Sequence, residues 1–200
     1  MAFDAQGEAS DEALMVLYAN GDRHAALALT RRVTPRVLAY AARLLSGDRA
    51  EAEDVAQETM LRLWRVAPEW RQGETKVTTW AYRVATNLCI DRQRSRKRKA
   101  QTALDDAPDL AASGRSADGT LIQADRMAAL GHALDQLPDR QRQAVVLRHI
   151  EGLTNPEIAE VMQIGVEAVE SLTARGKRAL AALLSGQKDA LGYEDERDDD

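Results

Sequence analysis

With 200 residues, 44% of them apolar and 30% charged, the chain has the make-up of one ordinary globular domain or two small ones rather than of a disordered segment. The formal net charge is −5, but the acids are unevenly placed: residues 1–12 hold four acids and no base and residues 189–200 hold seven acids and one base, leaving a mildly basic body of 26 bases against 21 acids. One cysteine excludes a disulfide framework, no apolar run approaches the roughly eighteen residues of a membrane span, and the start MAFDAQGEASDEAL lacks the blocks of a secretion signal, so a cytoplasmic location is expected.

Residues 1–12 read as an acidic N-terminal tail. HAALALTRR and PRVLAYAARLL then repeat with helical period, and Thr34 and Pro35 suit the N-cap and first residue of the second piece. SGDR supplies a turn. In AEAEDVAQETMLRLWRVA the residues Ala52, Val55, Ala56, Thr59, Met60, Leu63 and Ala67 form the i, i+3, i+4, i+7 stripe of an amphipathic helix. Its opposite side presents Asp54, Gln57, Glu58, Leu61 and Arg65. An exposed leucine among charges suits a partly polar protein interface, although the residues taken alone favour an ordinary solvated face with one stray leucine.

Trp64, Trp70 and Trp80 fall close together in a chain only 4% aromatic. Trp64 and Trp80 suit a core, whereas Trp70 lies in the loop PEWRQGETKVTT. TTWAYRVATNLCIDRQR is a further helix, with Trp80, Val84, Leu88 and Asp91 spaced along it, and it ends in IDRQRSRKRK. That run concentrates Arg92, Arg94, Arg96, Lys97, Arg98 and Lys99. A helix C-terminus attracts cations through its dipole, but six exceed that need, and several phosphates neutralised together give salt-sensitive nucleic-acid binding. A nuclear import signal is the other common meaning of such a run, and nothing else in the chain supports it.

From about Ala103 to Gly119 the periodicity stops, and ALDDAPDLAASGRSADG reads as a flexible linker that spans roughly 55–60 Å if extended. Helices resume near Leu121. In GLTNPEIAEVMQIGVEAVESLTARGKRALAALL, Thr154 and Glu157 make a capping box and Pro156 lies in the first turn. Ile158, Ala159 and Met162 form the inner face, QIG is a turn, and Gly165 precedes a second helix that buries Val169, Leu172, Gly176, Ala179 or Leu180, and Leu183. Glu167, Glu170, Ser171, Ala174, Arg175 and Arg178 remain on its outside, beside Lys177. This is a helix-turn-helix with an exposed recognition helix, or in a plainer reading a helical hairpin. No strand-like alternation is long enough to define a strand. The fold class expected is all-α: two small helical domains at 13–99 and 121–186, a linker at 100–120, and acidic tails at 1–12 and 187–200.

Three stretches in order resemble the extracytoplasmic-function class of bacterial RNA polymerase sigma factors: RAEAEDVAQETMLRLWR, TTWAYRVATNLCIDRQRSRKR, and LDQLPDRQRQAVVLRHIEGLTNPEIAEVMQIGVEAVESL. The resemblance covers roughly residues 13–185. It implies that Asp54, Gln57, Glu58, Leu61 and Arg65 meet the clamp of core RNA polymerase. It places Trp70, Arg71, Lys76, Thr79, Arg83 and Asn87, together with Arg92, Arg94, Arg96, Lys97 and Arg98, against the minus-ten promoter DNA, with Trp70 capturing an unstacked base. It places Arg148, Glu167, Glu170, Ser171, Ala174, Arg175, Lys177 and Arg178 at the minus-thirty-five element. Where the family often has a basic residue, Ser and another basic residue, this chain has Glu170, Ser171 and Leu172, which points to a different minus-thirty-five sequence, because a glutamate accepts from cytosine N4. An anti-sigma partner is a further implication.

Catalytic, metal and cofactor chemistry is not expected. Cys89 stands alone on an apolar helix side, His24, His132 and His149 have no ligand spacing, and no phosphate loop or nucleophile elbow is present. The acidic C-terminal end reads as a solvating tail or as a shield against stray DNA. Two other functions fit part of the pattern: a stand-alone helix-turn-helix regulator of duplex DNA, and a module that binds an inhibitor without touching DNA.

Overall fold

The computed structural model describes residues 9–71, 73–102 and 121–185. Among these residues all regular structure is helical: α1 (Asp11–Ala19), α2 (Arg23–Leu44), α3 (Arg49–Val66), α4 (Val77–Thr102), α5 (Leu121–Asp135), α6 (Asp139–Val145), α7 (Asn155–Met162) and α8 (Val166–Ser185). A 3-10 turn, Ala67–Glu69, follows α3, and a π-helical turn, Val146–Ile150, continues α6. The linker expected at 100–120 overlaps α4 by three residues, and its remainder lies outside the described residues, as does the acidic C-terminal tail.

Short polar side chains start each of the first three helices. The Ser10 hydroxyl accepts from the Ala13 N–H at 3.2 Å, Asp22 from the His24 and Ala25 N–H groups at 2.8 and 3.3 Å, and Asp48 from the Glu51 N–H at 3.0 Å. This corrects the N-terminal tail: Asp11 and Glu12 belong to the first turn of α1, where acids oppose the positive end of the helix dipole. A second correction concerns Pro35, which lies inside a continuous α2 and starts no new helix. An interior proline costs a helix about 3 kcal/mol. Leu29, Val33, Val37, Tyr40, Ala41 and Leu44 share one buried face across it, and that face keeps the helix whole.

The stripe read on α3 is buried as expected, from Ala52 through Leu63. Thr59 sits within it because its hydroxyl donates to the Val55 carbonyl at 2.7 Å. On α4 the buried face runs through Thr79, Tyr82, Thr86 and Cys89, at i, i+3, i+7 and i+10, and Asp91 is exposed rather than part of an apolar stripe. Tyr40 and Tyr82 meet edge to face with ring centroids 5.1 Å apart, and the Tyr40 hydroxyl bonds the Thr86 hydroxyl at 2.7 Å. Burial pushes the Cys89 thiol up to about 12, with Arg92 and Arg142 only partly opposing it. The unfolded thiol ionises near 8.5 and the folded one does not, so its stabilising contribution is complete below that pH and is lost as pH rises toward 12. Urea titrations are expected to show wild type losing about 2 kcal/mol more than Cys89→Ala between pH 8 and pH 10.

In the C-terminal helices, α6 crosses α8 at a glycine. A Cβ on Gly176 would lie 2.5 Å from Val145 Cγ2 and 3.2 Å from the Gln141 carbonyl oxygen, and the latter is backbone that cannot rotate away. Gly176→Ala is therefore expected to destabilise these helices by about 1–3 kcal/mol despite alanine's better helix propensity, measured by thermal or urea unfolding. Adding Val145→Ala should return part of that loss. Arg142, with a side chain 6% exposed, ties the start of α6 together through Asp135 at 2.8 Å and Asp139 at 3.0 Å. The capping box holds as read: Glu157 accepts from the Thr154 N–H and hydroxyl, each at 2.7 Å. After α7, Gln163 takes a left-handed conformation, φ 54°, that swings the chain into α8.

Candidate nucleic-acid interface

The three groups of candidate residues occupy three separate surfaces. The first is the outer side of α3. Asp54, Gln57, Leu61 and Arg65 are exposed, Leu61 to 44%, while Glu58 is half-buried and pairs with Arg62 at 2.8 Å. The five lie along one helix side because their spacing complements the buried stripe.

The second surface combines the loop before α4 with α4 itself. Trp70 caps the 3-10 turn, half-buried, and meets Trp80 edge to face with centroids 6.2 Å apart. Its indole N–H is buried without a hydrogen-bond partner in the protein. Beside the pair is a cavity of about 170 Å³ lined also by Arg71, Thr75 and Arg83. Trp64 is elsewhere, packed on Tyr18 at 4.6 Å.

Along α4, Arg83, Asn87, Arg94 and Lys97 recur at helical spacing on a side distinct from the core face. Thr79 is not among them. It is 1% exposed, because it shares its helix side with Tyr82 and Thr86, so it presents no side chain to a ligand in this structure and leaves the candidate set. The terminal basic run is also not a uniform surface. Arg92 pairs with Glu51, and Arg96 with Asp48 and Glu51, so the first turn of α3 holds two of the six cations. Arg94 and Arg98 are exposed on the remaining sides.

The third surface is the outside of α8. Glu167, Glu170, Ser171, Ala174, Arg175, Lys177 and Arg178 are all exposed, as expected of a recognition helix. The Asn155 side-chain amide donates to Glu170 at 3.4 Å, and the Arg175 guanidinium donates to the Ser171 carbonyl at 3.2 Å. Arg148, exposed in the π-helical turn, donates to the Leu153 carbonyl at 2.9 Å. Burial pushes His149 down from its ordinary range, reinforced by Lys177 and Arg148.

Sequence reading missed a set of residues that joins the two groups of helices. Lys76 pairs with Glu157 at 2.7 Å, Arg83 with Glu160 at 3.7 Å, Lys97 with Asp139 at 3.1 Å, and Arg43 with Glu151 at 3.3 Å. Burial pushes the Glu157 carboxyl up, but the Lys76 ammonium and the Thr154 N–H and hydroxyl outweigh it and hold the group at about 2. Partners 42 to 108 residues apart leave no periodic signal that could have found them.

Comparison with known proteins covers both groups of helices. Residues 29–99 match the family Sigma-70 region 2, and residues 127–180 match Sigma-70, region 4. The chain is 33% identical to the ECF RNA polymerase sigma factor SigM of Mycobacterium tuberculosis, across 92% of this chain and 89% of that one. It is 30% identical to the RNA polymerase sigma-H factor of Pseudomonas aeruginosa, across 87% and 93% of the two chains. Among solved structures it resembles CnrH in complex with the cytosolic domain of CnrY, with a TM-score of 0.66 and 25% identity over 89% of this chain and 99% of that one. The sigma factor RpoE of Bartonella quintana, solved with the anti-sigma factor NepR, has the same fold, with a TM-score of 0.66 and 23% identity over 78% of this chain and 94% of that one.

Proposed function

The chain belongs to the extracytoplasmic-function RNA polymerase sigma factors, and from that premise we propose how its surfaces divide the work. It lends promoter recognition to core RNA polymerase, promotes melting, and is controlled by an anti-sigma factor. The observation that carries this reading is the presence of region 2 and region 4 in order on one chain, with 33% identity across 92% of it. Neither a stand-alone regulator nor an inhibitor-binding module needs both.

Helices α1–α4 are assigned to polymerase binding and the minus-ten element, and α5–α8 to the minus-thirty-five element. On α3, Asp54, Gln57, Glu58, Leu61 and Arg65 dock on the polymerase clamp, with Leu61 as the apolar centre of a polar patch. Trp70 captures a base leaving the stack. The neighbouring cavity and the unpartnered indole N–H support that role, since a buried donor gains from an acceptor on the base. Asn87 presents both amide groups to the melted strand, as suits an adenine. Lys76, Arg71, Arg83, Arg94, Lys97 and Arg98 neutralise phosphate and fix register without reading sequence. Arg92 and Arg96 contribute less there, because their charge is already matched by α3.

Glu170 reads a cytosine N4 on the minus-thirty-five duplex, oriented by Asn155 and flanked by the phosphate-binding Arg148, Arg175, Lys177 and Arg178. Glu167, Ser171 and Ala174 complete the face that enters the groove. Glu170→Arg is expected to change the preferred base at one minus-thirty-five position, with a discrimination of about 1–3 kcal/mol, measured by site selection on a randomised element. An unchanged preference removes Glu170 from the reading set.

Sigma factors are initiation factors, and no catalysis is proposed for this chain. No helix among the described residues is long and apolar enough to cross a membrane. Cytoplasmic action follows as a proposal from its partner, RNA polymerase. Run-off transcription with core polymerase and a promoter library tests the reading. Polymerase-dependent, site-specific starts are expected, whereas duplex binding indifferent to polymerase would replace it with a stand-alone regulator.

A further inference from the structure

Between α4 on one side and α6 and α7 on the other lies a cavity of about 270 Å³. Its α4 wall includes Asn87 and Arg94 of the minus-ten surface, but its other wall, with Arg140, Gln143, Val161 and Met162, has no role assigned above. Gln143, Val161 and Met162 are buried, whereas Asn87, Arg94 and Arg140 are exposed. The cavity therefore grades from a mainly apolar floor to a basic rim.

On the floor, one polar group is left over. The Thr86 hydroxyl donates to the Tyr82 carbonyl at 2.7 Å, and the Gln93 amide donates to the Leu44 carbonyl at 2.7 Å. Gln143 differs from both. It is only 5% exposed, and its side-chain amide has no hydrogen bond to any of the described residues. A primary amide carries two donors and an acceptor, and keeping them unmet inside a protein is costly. The cavity that Gln143 lines is where those bonds can be made.

Charge at the rim is left over in the same way. Asp139 is the one acid among the described residues lining the cavity, and Lys97 at 3.1 Å and Arg142 at 3.0 Å already pair with it. Elsewhere along α4, Arg83, Arg92 and Arg96 each meet an acid. Arg94 and Arg140 meet none among the described residues. Two guanidinium groups unmatched at one opening suit a phosphate, which accepts from their planar forks.

We propose that this cavity binds a purine mononucleotide, with adenine the preferred base. Gln143 pairs with the base edge over the floor of Ile90, Val161 and Met162, and Arg94 and Arg140 hold the phosphate at the rim. Glutamine matches adenine because its amide donates to N7 and accepts from the N6 amino group at once. The volume lies at the small end of ligand sites, so it takes one nucleotide rather than a strand. Since Asn87 and Arg94 are also assigned to the minus-ten strand, nucleotide and strand compete. That consequence rests on the assignment above, whereas nucleotide binding does not.

Calorimetric titration of the full chain with AMP is expected to show saturable one-to-one binding. GMP should bind at least fivefold more weakly, and adenosine and inorganic phosphate each at least tenfold more weakly. Arg140→Ala and Gln143→Leu should each lower AMP affinity at least tenfold. Arg140 is exposed on α6, so its variant decides the matter even where Gln143→Leu disturbs folding. Arg31→Ala, an exposed arginine of α2 outside the cavity, should change nothing. AMP should also displace a fluorescent single-stranded minus-ten oligonucleotide from the wild type, and at least tenfold more should be needed with Arg140→Ala.

Absence of saturable AMP binding overturns the site. So does binding that Arg140→Ala leaves unchanged, or that inorganic phosphate equals. Failure of the minus-ten assignment looks different: AMP would bind with this pattern of variants, but the oligonucleotide would not bind or would not be displaced.

Discussion

Leu61→Arg is expected to weaken binding to core RNA polymerase by about 30-fold or more, the loss typical of a central interface residue of about 2 kcal/mol. The side chain stands 44% exposed on α3 among Asp54, Gln57, Glu58 and Arg65. The substitution places a strongly hydrated charge at the one apolar point of the patch. Because the α3 core stripe faces the other way, the thermal midpoint should stay within the scatter of surface substitutions, about 0.5 kcal/mol. Leu27, a similarly exposed leucine on α2, provides the control: Leu27→Arg should leave polymerase affinity and run-off unchanged. Equal losses in both variants would mean that α3 has no privileged role.

Trp70→Ala is expected to reduce open-complex formation by about 5- to 150-fold, the equivalent of the roughly 1–3 kcal/mol that stacking on one extruded base contributes. Permanganate reactivity of the melted bases measures it directly. Affinity of the holoenzyme for the minus-thirty-five duplex should not change, since α8 lies on a separate surface. A packing role predicts a different pattern. Trp70 touches Trp80, and if that contact were its whole purpose, the alanine variant would lose stability without a selective loss of melting. Trp70→Phe separates the two further, because it keeps an aromatic face for the base while removing the unpartnered indole N–H.

Salt dependence follows from where the cations lie. Neutralising Arg94 should flatten the salt dependence of promoter binding, whereas Arg92 and Arg96 should contribute little to that slope because Glu51 and Asp48 already neutralise them. Their removal is expected to loosen the α3–α4 contact instead.

Where each side chain's environment is set by its own helix, the sequence was legible. The α3 stripe from Ala52 to Leu63, the capping box at Thr154 and Glu157, and the outward set on α8 all follow from periods and caps that act over a few residues. The helix over Asp11–Ala19 carries a local start signal in Ser10, Asp11 and Glu12, but the same acids also continue the acidic run of residues 1–12. The apparent break at Pro35 was a fair local inference that distant packing overruled.

By itself the sequence determined the all-helical class, the helix-turn-helix, the family, and the spacing that sets Asp54, Gln57, Leu61 and Arg65 on one side of α3. These depend on backbone geometry and burial along single helices, which a linear pattern records. Only the tertiary structure decided that Thr79 turns into the core, that Arg92 and Arg96 are held by α3, that Glu151 meets Tyr82 and Arg43, and that Glu157 and Glu160 meet Lys76 and Arg83. A charge in a sequence has no partner until folding brings one within a few ångströms, and here the partners come from helices tens of residues away.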